Sequence, residues 1–227
     1  MTSDVFDRSA DRLVVDVWSD VMCPFCYMGD ALLAQALERF PHGSEVAVRY
    51  HSFLLMPDLP ADRAIDLVEL LSTERGFPRE QAEAMNAQVA KRGKEIGLDY
   101  RFDRAVAVNT RTAHRLSHFA KQAGRQHEMI QRLFRAYFTD GLNVGDHATL
   151  ADLAAEVGLD RDAALSALKS GAFDDDVEAD LRHARKLGIS GVPFFVFNGK
   201  YAVSGAQPVE AFLKALNTSF AETSTVH

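Results

Sequence analysis

The chain has 227 residues, 47% of them hydrophobic, with a net charge of −7 and a pI of about 5.6. That is enough apolar material for one sizeable core, as a single domain or a domain with a large insertion. The acidic balance and the lack of a Lys/Arg cluster exclude nucleic acid as a partner, and no apolar run approaches the ~20 residues that cross a bilayer, so no membrane role is expected.

The first twelve residues are polar and hold several acids. They have no basic region followed by an apolar stretch, do not read as a signal peptide, and give the expectation of a cytoplasmic protein. Leu13 to Trp18 (LVVDVW) is β-branched and apolar and predicts a buried strand. Cys23-Pro24-Phe25-Cys26 follows at once. Leu32, Leu33, Ala36, Leu37 and Phe40 then recur at helical spacing, in a helix that starts near Pro24, where a missing N–H costs nothing, and stops near Pro41-His42-Gly43. Val46 to Phe53 alternates as a second strand.

From about 61 to 187 the chain is rich in Ala, Leu, Glu, Arg and Gln. The spacing predicts helices near 63–75, 78–96, 109–123, 126–139, 147–157, 161–170 and 173–187. Asn109-Thr110 and Asp146 serve as N-caps, and Gly124, Gly141 and Gly158 as stops. Strand character returns at Phe194 to Asn198, Asn198-Gly199 signals a hairpin, and Tyr201 to Ser204 is the returning strand. Pro208 to Leu216 closes as an amphipathic helix, with a polar tail expected to fray after Asn217. The order is β-α-β, a helical block, then β-β-α. Without the block this is the thioredoxin order. The expected fold class is therefore α/β, a thioredoxin-like fold with a large all-helical insertion domain. Residues 13–60 plus 188–217 form the discontinuous redox domain, and 61–187 the insertion.

Only two cysteines occur, and two residues separate them. A secreted disulfide scaffold uses more, spread more widely, so the pair points to redox chemistry or to metal. Disulfide exchange needs an attacking thiolate and a second thiol that resolves the mixed disulfide. This spacing puts Cys23 at the helix start, where unpaired N–H groups and the helix dipole favour a thiolate, and Cys26 one turn in and more buried. Cys23 is thus the nucleophile and Cys26 the resolving thiol, with Pro24 and Phe25 tuning potential and access. The metal rival would join Cys23 and Cys26 to His114 and His118 as a zinc set. Zinc fingers keep such pairs roughly 12–15 residues apart, whereas 87 residues intervene here, so no metal is expected. Gly191-Val192-Pro193 precedes the late strand. In a thioredoxin arrangement this proline is cis and faces the cysteines, and Val192 offers its backbone to a bound peptide or thiol, much as a strand adds to a sheet edge.

The chain resembles the DsbA-like proteins of the thioredoxin superfamily, most closely the FrnE-like branch. The resemblance is carried by VDVWSDVMCPFCYMG (15–29), FLLMPD (53–58), NTRTAHRL (109–116), LFRAYFTDGLNVGD (133–146) and GISGVPFFVFNGKYAVSGAQP (188–208). It implies a thioredoxin domain interrupted by a helical one, with the active site between them. It also implies that Asn109, Thr110 and His114 point to that cleft, joining Pro24, Phe25, Val192 and Pro193 as substrate-binding residues. CPFC stands where CPWC is common in the branch. Thioredoxins keep a buried acid below the resolving cysteine. Asp16 lies one residue further from the first cysteine than that acid, and a one-residue slip turns a strand side chain to the other face, so a structural or solvated role is expected for it. Asp20 would oppose a Cys23 thiolate unless it points away.

The activity implied is thiol–disulfide oxidoreduction on protein or small-molecule disulfides. No bound cofactor is expected beyond the redox-active disulfide itself, with glutathione or another low-molecular-weight thiol as co-substrate. In a reducing cytosol, reductase or isomerase work fits better than net oxidation. The alternative is a glutathione-dependent transferase or isomerase of the kappa or chromene-carboxylate isomerase type. Those resemble this architecture with serine where Cys23 stands, and the retained Cys26 argues against them. A third reading is a binding or chaperone module using the apolar Phe53-Leu54-Leu55-Met56.

Overall fold

The computed structural model describes residues 13–60, 64–67, 69–70, 76 and 78–224. In chain order the elements are β1 (Val14–Ser19), α1 (Pro24–Arg39), β2 (Ala47–Ser52), β3 (Ile65–Asp66), α2 (Arg79–Glu95), β4 (Val106–Ala107), α3 (Arg111–Gln122), α4 (Gln126–Arg135), α5 (His147–Glu156), α6 (Arg161–Ser170), α7 (Asp174–Lys186), β5 (Phe194–Phe197), β6 (Tyr201–Ser204) and α8 (Val209–Ser224).

The main sheet has the order β2-β1-β5-β6. β1 runs parallel to β2 and antiparallel to β5, and β5 pairs with β6 across the Asn198-Gly199 turn. Both turn residues take positive φ, +47° and +66°, as the tight hairpin demands. Every residue of β1 is buried, which explains why its sequence runs apolar instead of alternating: helices cover both faces of the sheet. Val15, Val17 and Phe195 enter the main core with Leu32, Leu33 and Ala36 of α1 and Phe212 and Leu216 of α8. Trp18 and Val196, on the opposite face, pack with Ala184 of α7 and Ile189. The expected β-α-β…β-β-α order is therefore present, and the helices α2 to α7 fall between its halves.

Three departures from expectation have local causes. The helix expected over 63–75 lies largely outside the described residues. Its described start is the strand β3, paired antiparallel with β4, since two-residue strands carry no periodicity to read, while the described residues 67, 69 and 70 are helical as expected. The helix expected over 126–139 is α4 followed by a wider π turn, Ala136–Asp140, which ends where Gly141 takes φ +70°. The tail does not fray at Asn217: α8 continues to Ser224. Phe220 stacks on His42 at 4.0 Å between ring centroids, and Glu222 accepts from Lys200 at 2.8 Å and from the Tyr201 hydroxyl. Among the described residues no helix is long and apolar enough to cross a membrane.

Candidate active site

Cys23 is the N-cap of α1, with φ −87° and ψ 113°, and Pro24 occupies the first helical position. The chain turns into the helix through two backbone bonds, Cys23 N–H to the Asp20 carbonyl and Cys26 N–H to the Cys23 carbonyl, both at 3.0 Å. Both thiols are free and buried. Cys26 lies inside the first turn. Burial, first, and then the hydrogen bond and charge of Cys23 push its thiol well above the ordinary cysteine value, against smaller opposing pulls from the Ser19 hydroxyl and the Asp20 backbone N–H. Cys26 therefore holds its proton more tightly than an ordinary thiol.

Opposite the pair, the Val192–Pro193 bond is cis. The Cys23 thiol donates to the Val192 carbonyl oxygen at 3.6 Å. Gly29 permits the close approach, because a Cβ there would sit 3.0 Å from Pro193 Cγ and 2.9 Å from Phe195 Cζ. Phe25, between the cysteines, is 41% exposed, so the rim beside Cys23 is open and apolar. Pro24 and Val192 are half-buried beside it.

Asp20 ties this centre to the helices. Its side chain is completely buried. Its carboxylate accepts from Thr110 Oγ1 at 2.7 Å, from the Leu55 N–H at 2.7 Å and from the Met22 N–H at 3.3 Å. The carboxylate thus turns toward α3 and the loop after β2, while the Asp20 backbone serves the cysteines. Thr110 and His114, expected to face the cleft, are instead buried and turned onto Asp20; His114 Nε2 lies 3.5 Å from Asp20 Oδ1. Asn109 donates to the carbonyls of Pro57 and Leu59 at 3.0 and 2.9 Å and accepts from the Arg111 N–H. Asn109 and Thr110 thus spend polar groups on the protein, as brackets that hold the 55–59 loop and α3 beside Cys23, while His114 Nε2 faces Asp20 without a hydrogen bond.

Asp16 faces away from the cysteines, and Val17 takes the side toward α1. Buried Asp16 accepts from His51 Nε2 at 2.8 Å, and the other His51 nitrogen meets Asp180 at 2.9 Å. Asp180 also takes the Ser52 N–H at 2.8 Å and lies 3.0 Å from His118 Nε2. The His51 ring stacks on Trp18 at 4.5 Å. This is a structural network joining β1, β2, α3 and α7. It also separates the two histidines of the zinc rival: His118 bonds Asp180 and His114 turns to Asp20. Among the described residues no group of three or more His, Cys, Asp or Glu could hold a metal ion.

Three contributors escaped the sequence reading. Ser19, at the end of β1, is a buried hydroxyl that pulls against the rise of the Cys26 thiol. Gly29 carried a signal, a glycine inside a helix, which commonly marks a close approach. Tyr100 carried none: it lies in an ordinary stretch after α2, yet its hydroxyl donates to the Pro24 carbonyl at 2.6 Å.

Comparison with known proteins places these features in context. The family model for the DSBA-like thioredoxin domain matches residues 14–217. The uncharacterized protein YwbO of Bacillus subtilis (strain 168) is 30% identical over 205 residues, covering 89% of this chain and 95% of its own. The crystal structure of a probable DsbA oxidoreductase from Streptomyces coelicolor is 37% identical, with a TM-score of 0.88 over 93% of this chain and 91% of that one. The cytosolic disulfide reductase DsbM from Pseudomonas aeruginosa, solved with glutathione, shares the fold at 20% identity and a TM-score of 0.65, over 92% of this chain and 99% of that one.

Proposed function

The chain belongs to the DsbA-like thioredoxin domain family, and from that premise we propose that it is a dithiol–disulfide oxidoreductase in which Cys23 attacks and Cys26 resolves. The observation that carries the reading is the position of Cys23: N-cap of α1, with Cys26 one turn in and the Val192 carbonyl opposite.

The Cys23 thiolate attacks one sulfur of a substrate disulfide. A Cys23–substrate disulfide forms, and the other substrate sulfur leaves as a thiolate that takes up a proton. Cys26, held protonated until Cys23 is no longer charged, then loses its proton and attacks the Cys23 sulfur. The second substrate sulfur leaves as a thiol, and the protein is left with a Cys23–Cys26 disulfide, two electrons having passed to the substrate. Two molecules of a low-molecular-weight thiol such as glutathione restore the dithiol and leave as their own disulfide. The Val192 carbonyl, released once Cys23 has no proton to give it, is free to accept from a backbone N–H of the bound chain, and exposed Phe25 offers it an apolar contact.

The reading extends to a reducing, cytoplasmic setting and to net reductase or isomerase work, since a reducing thiol pool would keep the pair as the dithiol. DsbM, a disulfide reductase of the cytosol with the same fold, supports that extension. Insulin reduction driven by glutathione, with a redox titration of the Cys23–Cys26 pair, tests it. Insulin turnover at the uncatalysed rate would overturn the reading, and a disulfide that the glutathione pool cannot reduce would overturn the reductase assignment.

A further inference from the structure

Tyr100 is 6% exposed and lies 76 residues from its hydrogen-bond partner, the carbonyl of Pro24. Its ring stacks on Phe102 at 5.3 Å and meets Tyr27 and Phe138 edge-on at 5.6 and 5.2 Å. Gly93 makes room for it: a Cβ at that position would fall 2.3 Å from the Tyr100 ring. The ring is thus clamped on several sides and its hydroxyl aimed at one atom of the Cys23-to-Cys26 turn. Burial and then the nearby charge of Tyr27, Cys23 and Cys26 raise the phenol well above its usual value, so it remains a donor.

Pro24 is the first helical residue, so its carbonyl shares a peptide unit with the N–H of Phe25 at the second. That N–H is one of the helix-start donors without an intrahelical acceptor, and an N-cap side chain normally reaches the second or third of them. Here the N-cap side chain is Cys23. As a thiol it donates to Val192 and makes no cap bond; as a thiolate it can only accept. A hydrogen bond received by a carbonyl polarises its peptide and strengthens the N–H on the far side.

We infer that Tyr100 is a positioning residue of the dithiol centre: by bonding the Pro24 carbonyl it fixes and polarises the Pro24–Phe25 peptide, whose N–H then caps the Cys23 thiolate. The inference rests on the proposed redox role of Cys23. It gives the helical segment a direct part in setting the potential of the pair, since whatever stabilises the reduced form makes the disulfide more oxidising.

The test is Tyr100→Phe, which removes one oxygen and keeps the ring, with Tyr27→Phe as control. Tyr27 belongs to the same aromatic cluster, with its ring stacked on Phe134 and Phe138, and the side chains that act on its phenol are Thr139, Arg135, Asp30 and Asp140, not the cysteine turn. Two quantities are measured: the equilibrium of the Cys23–Cys26 pair with glutathione, and the rate of Cys23 alkylation by iodoacetamide at pH 6. In Tyr100→Phe the equilibrium moves about threefold toward the disulfide, a fall of about 14 mV at 29.6 mV per decade, and alkylation slows about threefold. Tyr27→Phe moves neither. Incorporating 3,5-difluorotyrosine at position 100, a stronger donor of the same shape, shifts both the opposite way, and it decides the matter alone if Tyr100→Phe does not fold. Unchanged potential and alkylation, or an equal shift in Tyr27→Phe, overturn the inference. Failure of the wild-type protein to reduce insulin overturns the proposed function instead, because both readouts here are taken on the pair itself.

Discussion

The Cys23 sulfur and the Val192 carbonyl oxygen meet at 3.6 Å although 169 positions separate them in the chain. The contact joins the start of α1 to the turn before β5 and brings the Cys23 thiol to a backbone acceptor. Cys23→Ser is expected to reduce insulin turnover to background. Cys26→Ser leaves the attack intact and removes the exit, so a mixed disulfide with substrate accumulates and is seen as a mass increment that dithiothreitol removes. Full glutathione-dependent turnover in Cys26→Ser would instead favour the transferase or isomerase alternative, which needs no second thiol.

Asp20 is the second point of convergence. Three donors from three segments end on its carboxylate, and the bonds from Thr110 and Met22 are fully buried. In Asp20→Ala the loss is about 3 kcal/mol or more, since a buried donor left unpaired costs about 1–3 kcal/mol. Thr110→Val deletes one donor along with its bond and costs about 2 kcal/mol, the range for a bond to a charged group. Urea unfolding at constant m value measures both. An Asp20→Ala protein as stable as wild type would mean that the carboxylate does not bracket the loop to α3.

What could be read from the sequence followed from local chemistry. The unalternating β1, the Cys23-to-Cys26 spacing ahead of a helix, Asn198-Gly199 and the Asp146 cap each rest on neighbouring residues, and each has its structural counterpart. Asp16 was legible too, because parity alone turns it from the cysteines. What could not be read is long-range. Nothing near Asn109 or Thr110 shows that their side chains bond the 55–59 loop and Asp20, and nothing near His114 shows that it is buried against Asp20. Nothing near Tyr100 shows that its hydroxyl reaches Pro24. Such pairings are made by the packing of the helical segment on the sheet, and they leave no periodicity.

The His51 network makes stability depend on pH in a determined direction. Burial opposes charging His51, but the bonds to Asp16 and Asp180 and their charges outweigh it, and its pKa is raised. Burial likewise opposes charging Asp180, and the bonds from His118 and His51 hold it well below the usual carboxylate range. A raised histidine contributes fully below its unfolded value of about 6.5 and loses the contribution as pH rises through the folded value; a depressed aspartate contributes fully above about 3.9 and loses it as pH falls through its folded value. The two coincide between about pH 4 and 6.5. Neighbouring His183 is lowered by burial and then by the His51 charge, and opposes part of this at the acid end. Comparing unfolding free energies of wild type and His51→Gln across pH 5 to 9 isolates the histidine: the advantage of wild type is expected to shrink with rising pH. A constant difference would mean that His51 does not titrate in this range.

Gly29 offers a geometric test of how the substrate face is held. A methyl group there would lie 2.9 Å from Phe195 Cζ and 3.0 Å from Pro193 Cγ. Both atoms belong to buried side chains, and Phe195 is itself wedged edge-on against Phe212 at 4.9 Å, so neither ring can retreat without moving its own neighbours. Gly29→Ala gains helix propensity of about 1 kcal/mol but overpacks the contact, at a cost of about 1–3 kcal/mol. The net change in stability is therefore small or negative. Relief would come by moving the Pro193 segment outward, which lengthens the Cys23–Val192 contact. Insulin turnover is then expected to fall more than stability does, with a rise in KM. A Gly29→Ala protein that gains the full helix increment in urea unfolding and keeps its KM would show that α1 and the Pro193 turn are not in contact as described.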